Sequence, residues 1–138
     1  THGHVYDFCK QLFKNKKKLK VLGDGLQKKS YLHVDDCIRA MMLATKKSQN
    51  KVNIFNLGTN EYLTVKQSIK IICKELNAKP KIYYSGGKRG WIGDSPFIYL
   101  NIKKIKSLGW LPKFTIQNSI KQTVIYLKNN KWVFLKRK

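Results

Sequence analysis

The chain has 138 residues, 42% of them hydrophobic and 12% aromatic, which is enough for one compact domain with a core. No apolar run nears the roughly 20 residues of a membrane span, and no basic-then-apolar leader opens the chain, so a cytoplasmic setting without a membrane partner is expected. Its formal charge of +22, from 29 basic and 7 acidic residues, attracts nucleic acid, anionic membrane or phosphorylated ligands.

All the basic residues but Arg39, Arg89 and Arg137 are lysines, spread along the whole chain. Sequence-specific nucleic-acid readers lean on arginine forks, so a lysine-coated surface is expected rather than a specific nucleic-acid partner. Cys9, Cys37 and Cys73 have no C-x-x-C spacing and fall on apolar stripes, which fits buried free thiols and no zinc or disulfide. His2 and His4 lack a thiol or carboxylate companion, and their closeness reads as coincidence rather than a metal site. The first residue is Thr1 rather than Met, so a piece of a longer polypeptide is expected.

In chain order, Val5, Phe8, Cys9, Leu12 and Phe13 recur at helical spacing from His4 to about Lys14. A basic run follows, then a short strand over Leu19–Leu22 and a tight turn at Gly23-Asp24-Gly25. Ser30–Val34 predicts a second strand that contains His33, and Asp35 or Asp36 caps a helix with Cys37, Ile38, Met41, Met42 and Thr45 inward. Val52–Leu57 predicts a strand ending at Gly58, which makes the region a βαβ unit with parallel pairing. Thr64-Val65-Lys66-Gln67 is a capping box opening a helix that buries Val65, Ile69, Ile72, Cys73 and Leu76. Pro80 stops it, and Lys81–Tyr84 predicts a strand.

The stretch Ser85–Pro96, with four glycines and a proline, predicts a loop of unusual backbone angles. A short helix with Ile102, Ile105 and Leu108 ends at Gly109. Thr115 caps the last helix, with Ile116, Ile120, Val124 and Leu127 inward. A basic tail occupies 128–138, and its apolar residues, Trp132 to Leu135, allow its last turn to dock.

Arg89 and Asp94, five apart in the glycine-rich loop, suit a ligand carrying both phosphate and hydroxyl groups. A guanidinium offers a planar fork to phosphate oxygens, and a carboxylate accepts from a sugar diol. The same residues equally suit an ion pair with each other across a surface loop.

The order VLGDGLQKKSYLHVDD, IFNLG, TVKQ, KIYY, RGWIGD and SLGWLPKF resembles the C-terminal half of the extended short-chain dehydrogenase/reductases. Among these it is most similar to the NAD-dependent nucleotide-sugar epimerases and dehydratases of the UDP-glucose 4-epimerase kind. Any one of the six motifs is weak, but their order and spacing span essentially the whole chain. The resemblance implies an α/β fold of short strands and capped helices over 1–138, the substrate-binding part, with the NAD-binding Rossmann core mostly absent.

It further implies a UDP-sugar as substrate, NAD as the cofactor of a parent enzyme that is a homodimer, and a nucleotide-sugar 4,6-dehydratase as the alternative. A non-catalytic basic module is the rival of another class; it needs aromatics free for stacking, whereas most aromatics here fall at stripe or strand positions. By motif position Arg89 matches the diphosphate clamp and Asp94 the ribose-contacting acid. Lys29 stands where many members carry a second phosphate-binding arginine, and Tyr31 lies near the same ligand. Lysine keeps the charge but loses the fork, and strand alternation points only one of Lys28 and Lys29 at the ligand. No Gly-rich NAD turn and no Tyr-x-x-x-Lys pair in the right context occurs; Tyr99 and Lys103 have the spacing but sit at the start of the late helix. The segment alone is therefore expected to be inactive.

Overall fold

The computed structural model describes residues 3–90, 93–95 and 97–135. His2, Trp91, Ile92, Pro96 and the end of the tail at 136–138 lie outside them. Five α-helices are α1 (His4–Lys14), α2 (Val34–Lys47), α3 (Val65–Glu75), α4 (Lys103–Ser107) and α5 (Ile116–Asn129). Four short strands are β1 (Lys18–Val21), β2 (Lys28–Lys29), β3 (Leu63–Thr64) and β4 (Lys81–Tyr84).

β1 and β4 pair in parallel, Lys18 opposite Lys81 through Val21 opposite Tyr84. The alternation of β1 buries Leu19 and Val21 and leaves both lysines in solvent. Beneath the pair lie α1, α3 and α5, which contribute Phe8, Cys9 and Leu12, then Ile69 and Ile72, then Ile116, Ile120 and Val124 to one core. The box at the start of α3 is closed in both directions: the Thr64 hydroxyl accepts from the Gln67 N–H, and the Gln67 amide oxygen accepts from the Thr64 N–H at 2.7 Å. A second, smaller core gathers Ala40 of α2 with Ile102, Ile105 and Trp110.

Two expected strands are not formed. Ser30–His33 is irregular because β2 finds only the two residues of β3 to pair with before Thr64 turns into the cap of α3. Residues 52–57 carry no ladder among the described residues, and Val52 and Ile54 are 79% and 77% exposed. The parallel pairing therefore belongs to β1 and β4, not to a βαβ unit around α2. The helix stripes are corrected in the same region. Ile38, Met41 and Met42 are exposed, and α2 buries Asp36 and Ala40 instead.

α5 runs through Lys128 to Asn129, and a single 3-10 turn over Lys131–Phe134 docks Phe134 against Tyr6, with ring centroids 4.8 Å apart. Cys9 is buried, and Cys37 and Cys73 are half-buried; all three are free. Burial, and Cys73 beside it, pushes the Cys9 thiol up to about 12. No helix among the described residues is long and apolar enough to cross a membrane.

The stripe of α2 and the 52–54 stretch leave apolar surface in water, the kind of patch that self-associates. An environment-sensitive hydrophobic dye is expected to brighten on the folded protein, and Met41→Lys with Ile54→Lys to lower that signal without lowering the melting temperature. A cooperative melt with no dye signal would remove this expectation.

Candidate functional site

The site is built where β2, the turn before it and the loop after β4 converge. Gly23 and Gly25 take φ of 78° and 76°, a region that disfavours side chains. At Gly23 a Cβ would lie 1.8 Å from Nε2 of Gln27. That amide nitrogen donates to the Leu22 carbonyl at 3.1 Å. The Gly23 N–H donates to the Ser85 hydroxyl at 2.8 Å, and the Gly86 N–H donates to the Gly23 carbonyl at 3.2 Å. The Gly-Asp-Gly turn thus anchors the start of the Ser85–Ser95 loop, and α3 fixes its other side, since Lys66 N–H donates to the Gly25 carbonyl at 2.9 Å.

On that frame Lys29 of β2 and Asp94 of the loop form an ion pair, with side chains 21% and 15% exposed. The Lys29 ammonium also donates to the Ser95 carbonyl at 3.1 Å, and the second Asp94 oxygen accepts from the Gly90 N–H at 3.2 Å. A cleft of about 270 Å³ opens beside the pair, lined by Lys28, Lys29, Ser30, Gly93, Asp94, Ser95 and Ile98. Of the two neighbouring lysines it is Lys29 that meets Asp94; Lys28 is exposed and lies 4.9 Å over the ring of Tyr62.

Tyr31 sits behind the pair, its hydroxyl 2.7 Å from Nδ1 of His4. Burial first, then the Asp94 charge, holds the phenol well above its ordinary range. Arg89 is exposed and makes no ion pair or side-chain hydrogen bond among the described residues. The alternative in which Arg89 and Asp94 pair is therefore not what forms; Asp94 takes Lys29. The structure thus joins Lys29, Asp94 and Tyr31 in one cluster and leaves Arg89 on the same loop with its guanidinium in solvent.

His4 was missed as part of this cluster. Its only sequence signal is helical spacing with Phe8, which it touches edge-on at 5.4 Å. Burial, then the Lys29 charge, lowers its imidazole to about 4 against the partly opposing pull of Asp94. Below pH 6.5 the unfolded chain takes up a proton that the folded chain refuses until about pH 4. Stability is therefore whole above that window and falls as pH drops through it, by about 3 kcal/mol at most and about 2 after screening. Urea melts at pH 7.5 and 5 are expected to show His4→Gln losing less than the parent chain; equal losses would show that another group titrates.

Neither Asp35 nor Asp36 is the side-chain cap of α2. His33 caps it, accepting the Asp35 N–H on Nδ1 at 3.2 Å and stacking on Phe114 with centroids 4.2 Å apart. That removes His33 from the strand expected for it. Asp36 is fully buried; it accepts from the N–H groups of Lys113 and Phe114 and pairs with Arg39, while the Trp110 indole donates to its backbone carbonyl at 3.2 Å. This is how the Leu108–Phe114 motif is tied to α2. More aromatics reach the surface than expected, among them Tyr62, Phe97, Tyr99, Tyr83 and Tyr84, but Phe97 packs against both Tyr62 and Tyr99, and Lys28, Lys66 and Lys81 lie over Tyr62, Tyr84 and Tyr83. No group of metal-ligating side chains occurs among the described residues.

With that geometry set out, comparison with known proteins places the chain. The model of the NAD dependent epimerase/dehydratase family matches residues 2–58. A putative UDP-glucose 4-epimerase of Methanocaldococcus jannaschii is 31% identical over 128 residues, covering 93% of this chain and 40% of the relative. The UDP-glucose 4-epimerase of Thermotoga maritima, solved with UDP-glucose, superposes with a TM-score of 0.79 at 30% identity, over 94% of this chain and 40% of that one. A dTDP-glucose 4,6-dehydratase of Bacillus anthracis, solved with NAD, gives 0.76 at 28% identity, over 93% and 40%. The chain thus spans about 40% of the length of such relatives.

Proposed function

Because the chain belongs to the NAD dependent epimerase/dehydratase family, we propose that it is the segment of a UDP-sugar 4-epimerase that grips the nucleoside diphosphate. The observation that carries this reading is the cleft in which Lys29 and Asp94 meet, with Arg89 on the same loop. A cation, a hydroxyl-accepting carboxylate and a solvent-exposed planar fork are the groups that a diphosphate joined to a ribose asks for. Tyr31 supports them from behind through His4.

NAD supplies the redox chemistry of the family, and the described residues offer it no fitting cradle. The glycine turns at Gly23 and Gly25 are closed by Gln27, Tyr84 and Lys66 against a Cβ, let alone a pyrophosphate. Tyr99 and Lys103 lie in the wrong place for a proton-transfer pair, Tyr99 in an exposed irregular stretch and Lys103 at the first residue of α4. The role assigned to this chain is thus to hold the nucleotide still while the sugar is free to turn, without turnover of its own. The 28% identical dehydratase keeps the 4,6-dehydratase alternative open, since both reactions ask the same grip of the nucleotide.

The test is calorimetric titration of UDP at two salt concentrations. Saturable binding that weakens only modestly with salt is expected, because few charges are involved. Polyanion binding, by contrast, falls steeply through counterion release. Absence of saturable UDP binding, together with tight capture of one RNA or DNA sequence at physiological salt, would replace this reading with a basic binding module.

A further inference from the structure

The cleft contains its own anion. Lys29 has three N–H donors; one meets the Asp94 carboxylate and one the Ser95 carbonyl. Asp94 is held by Lys29 on one oxygen and by the Gly90 N–H on the other, at 15% exposure. At that depth its charge is weakly screened by salt. A bare phosphate or pyrophosphate brought to the remaining donor of Lys29 therefore meets a fixed carboxylate beside the same ammonium. A nucleoside diphosphate meets it too, but also carries a ribose diol whose two hydroxyls can donate to that carboxylate.

We propose that Asp94 is a specificity-determining residue: it occupies Lys29 in the free protein and so rejects free polyphosphates, admitting only a diphosphate that brings a diol for Asp94 to accept from. This rests on the nucleotide reading above and adds to it a rejected class of ligand. Like-charge juxtaposition is a recognised way to exclude a wrong partner. Lys29 in place of an arginine sharpens the effect. A point charge already bound to a carboxylate has no second fork edge to offer a phosphate.

The test uses two probes, inorganic pyrophosphate and UDP, titrated into the parent chain, Asp94→Asn, and Asp94→Asn with Lys29→Met. Asparagine keeps the size of the side chain and a carbonyl for the Gly90 N–H, so the loop retains that hydrogen bond. Asp94→Asn is expected to bind pyrophosphate about tenfold tighter and UDP about tenfold weaker, each a change of about 1.4 kcal/mol. The added Lys29→Met is expected to erase the pyrophosphate gain. Should Asp94→Asn melt early, Asp94→Ser, which removes the carboxylate outright, is read the same way.

UDP binding to the parent chain with no pyrophosphate gain in either Asp94 variant overturns the filter and leaves the nucleotide reading intact. A pyrophosphate gain with no UDP binding to any variant overturns the nucleotide reading and leaves the filter as a general anion gate. Binding of neither probe to any variant overturns both.

Discussion

Arg89→Ala is expected to weaken UDP binding by about ten- to a hundredfold while leaving the melting temperature where it was. A charge-assisted hydrogen bond contributes on the order of 1.5–3 kcal/mol, and tenfold in affinity is about 1.4 kcal/mol. The guanidinium is exposed and unpaired among the described residues of the free protein, so the lower half of the range applies if solvent still reaches it in the complex. Arg89→Lys is expected to recover part of the loss, because the charge stays and the fork goes. The melt is expected to hold because the side chain is exposed; at Arg89 it is the backbone carbonyl that packs near Gly23. Calorimetry with UDP on the three proteins, with melts alongside, decides the matter. Unchanged UDP affinity in Arg89→Ala would remove Arg89 from the site even though the family assignment stands.

Lys29 and Asp94 lie 65 residues apart in sequence and meet because two local signals aim them at each other. The Gly-Asp-Gly turn and the capping box at Thr64 were both legible, since each is a few adjacent residues satisfying their own backbone groups. So were β4, α4 stopping before Gly109, and α5 capped by Thr115. The strand over 52–57 was not recoverable from pattern alone: alternating apolar residues state a preference for extended backbone, but a ladder needs a partner strand, and none pairs there among the described residues. The inward face of α2 was misplaced for a related reason. Ile38, Met41 and Met42 make a convincing stripe, yet the helix docks by Asp36 and Ala40. A buried carboxylate runs against the burial preference that pattern reading relies on. His4 was out of reach because its partner, Tyr31, is 27 residues on and no periodicity links them.

A residue that the sequence offers only as a helix cap is expected to be the most costly to remove. Asp36→Ala deletes the acceptor of the Lys113 and Phe114 N–H groups, whose bonds to it are 2.9 and 3.0 Å long, and removes the carboxylate partner of the half-exposed Arg39 guanidinium. Leaving two N–H groups without their acceptor costs about 1–3 kcal/mol each, and Arg39, 35% exposed, adds less than the about 3–5 kcal/mol of a fully buried pair; the loss is still a large share of the roughly 5–15 kcal/mol that holds a domain together. Asp36→Asn is expected to lose somewhat less, because its amide oxygen keeps one acceptor while its NH₂ faces donors. Acid supplies an independent reading. Burial by itself would raise the Asp36 carboxyl, but the Lys113 and Phe114 N–H groups and Arg39 together hold it below its ordinary value of 3.8. The folded chain therefore keeps this carboxylate ionised where the unfolded chain is already protonated. Its contribution is full above about pH 4 and is lost as pH falls through the lower, folded value. Urea melts from pH 7 to pH 3 are expected to show the parent chain shedding a component that Asp36→Asn no longer has to lose. UDP affinity measured well below the melting point is expected to stay within about threefold of the parent, since Asp36 does not line the cleft. If Asp36→Ala melts within a few degrees of the parent, the tie between α2 and the Leu108–Phe114 segment is not what holds them together.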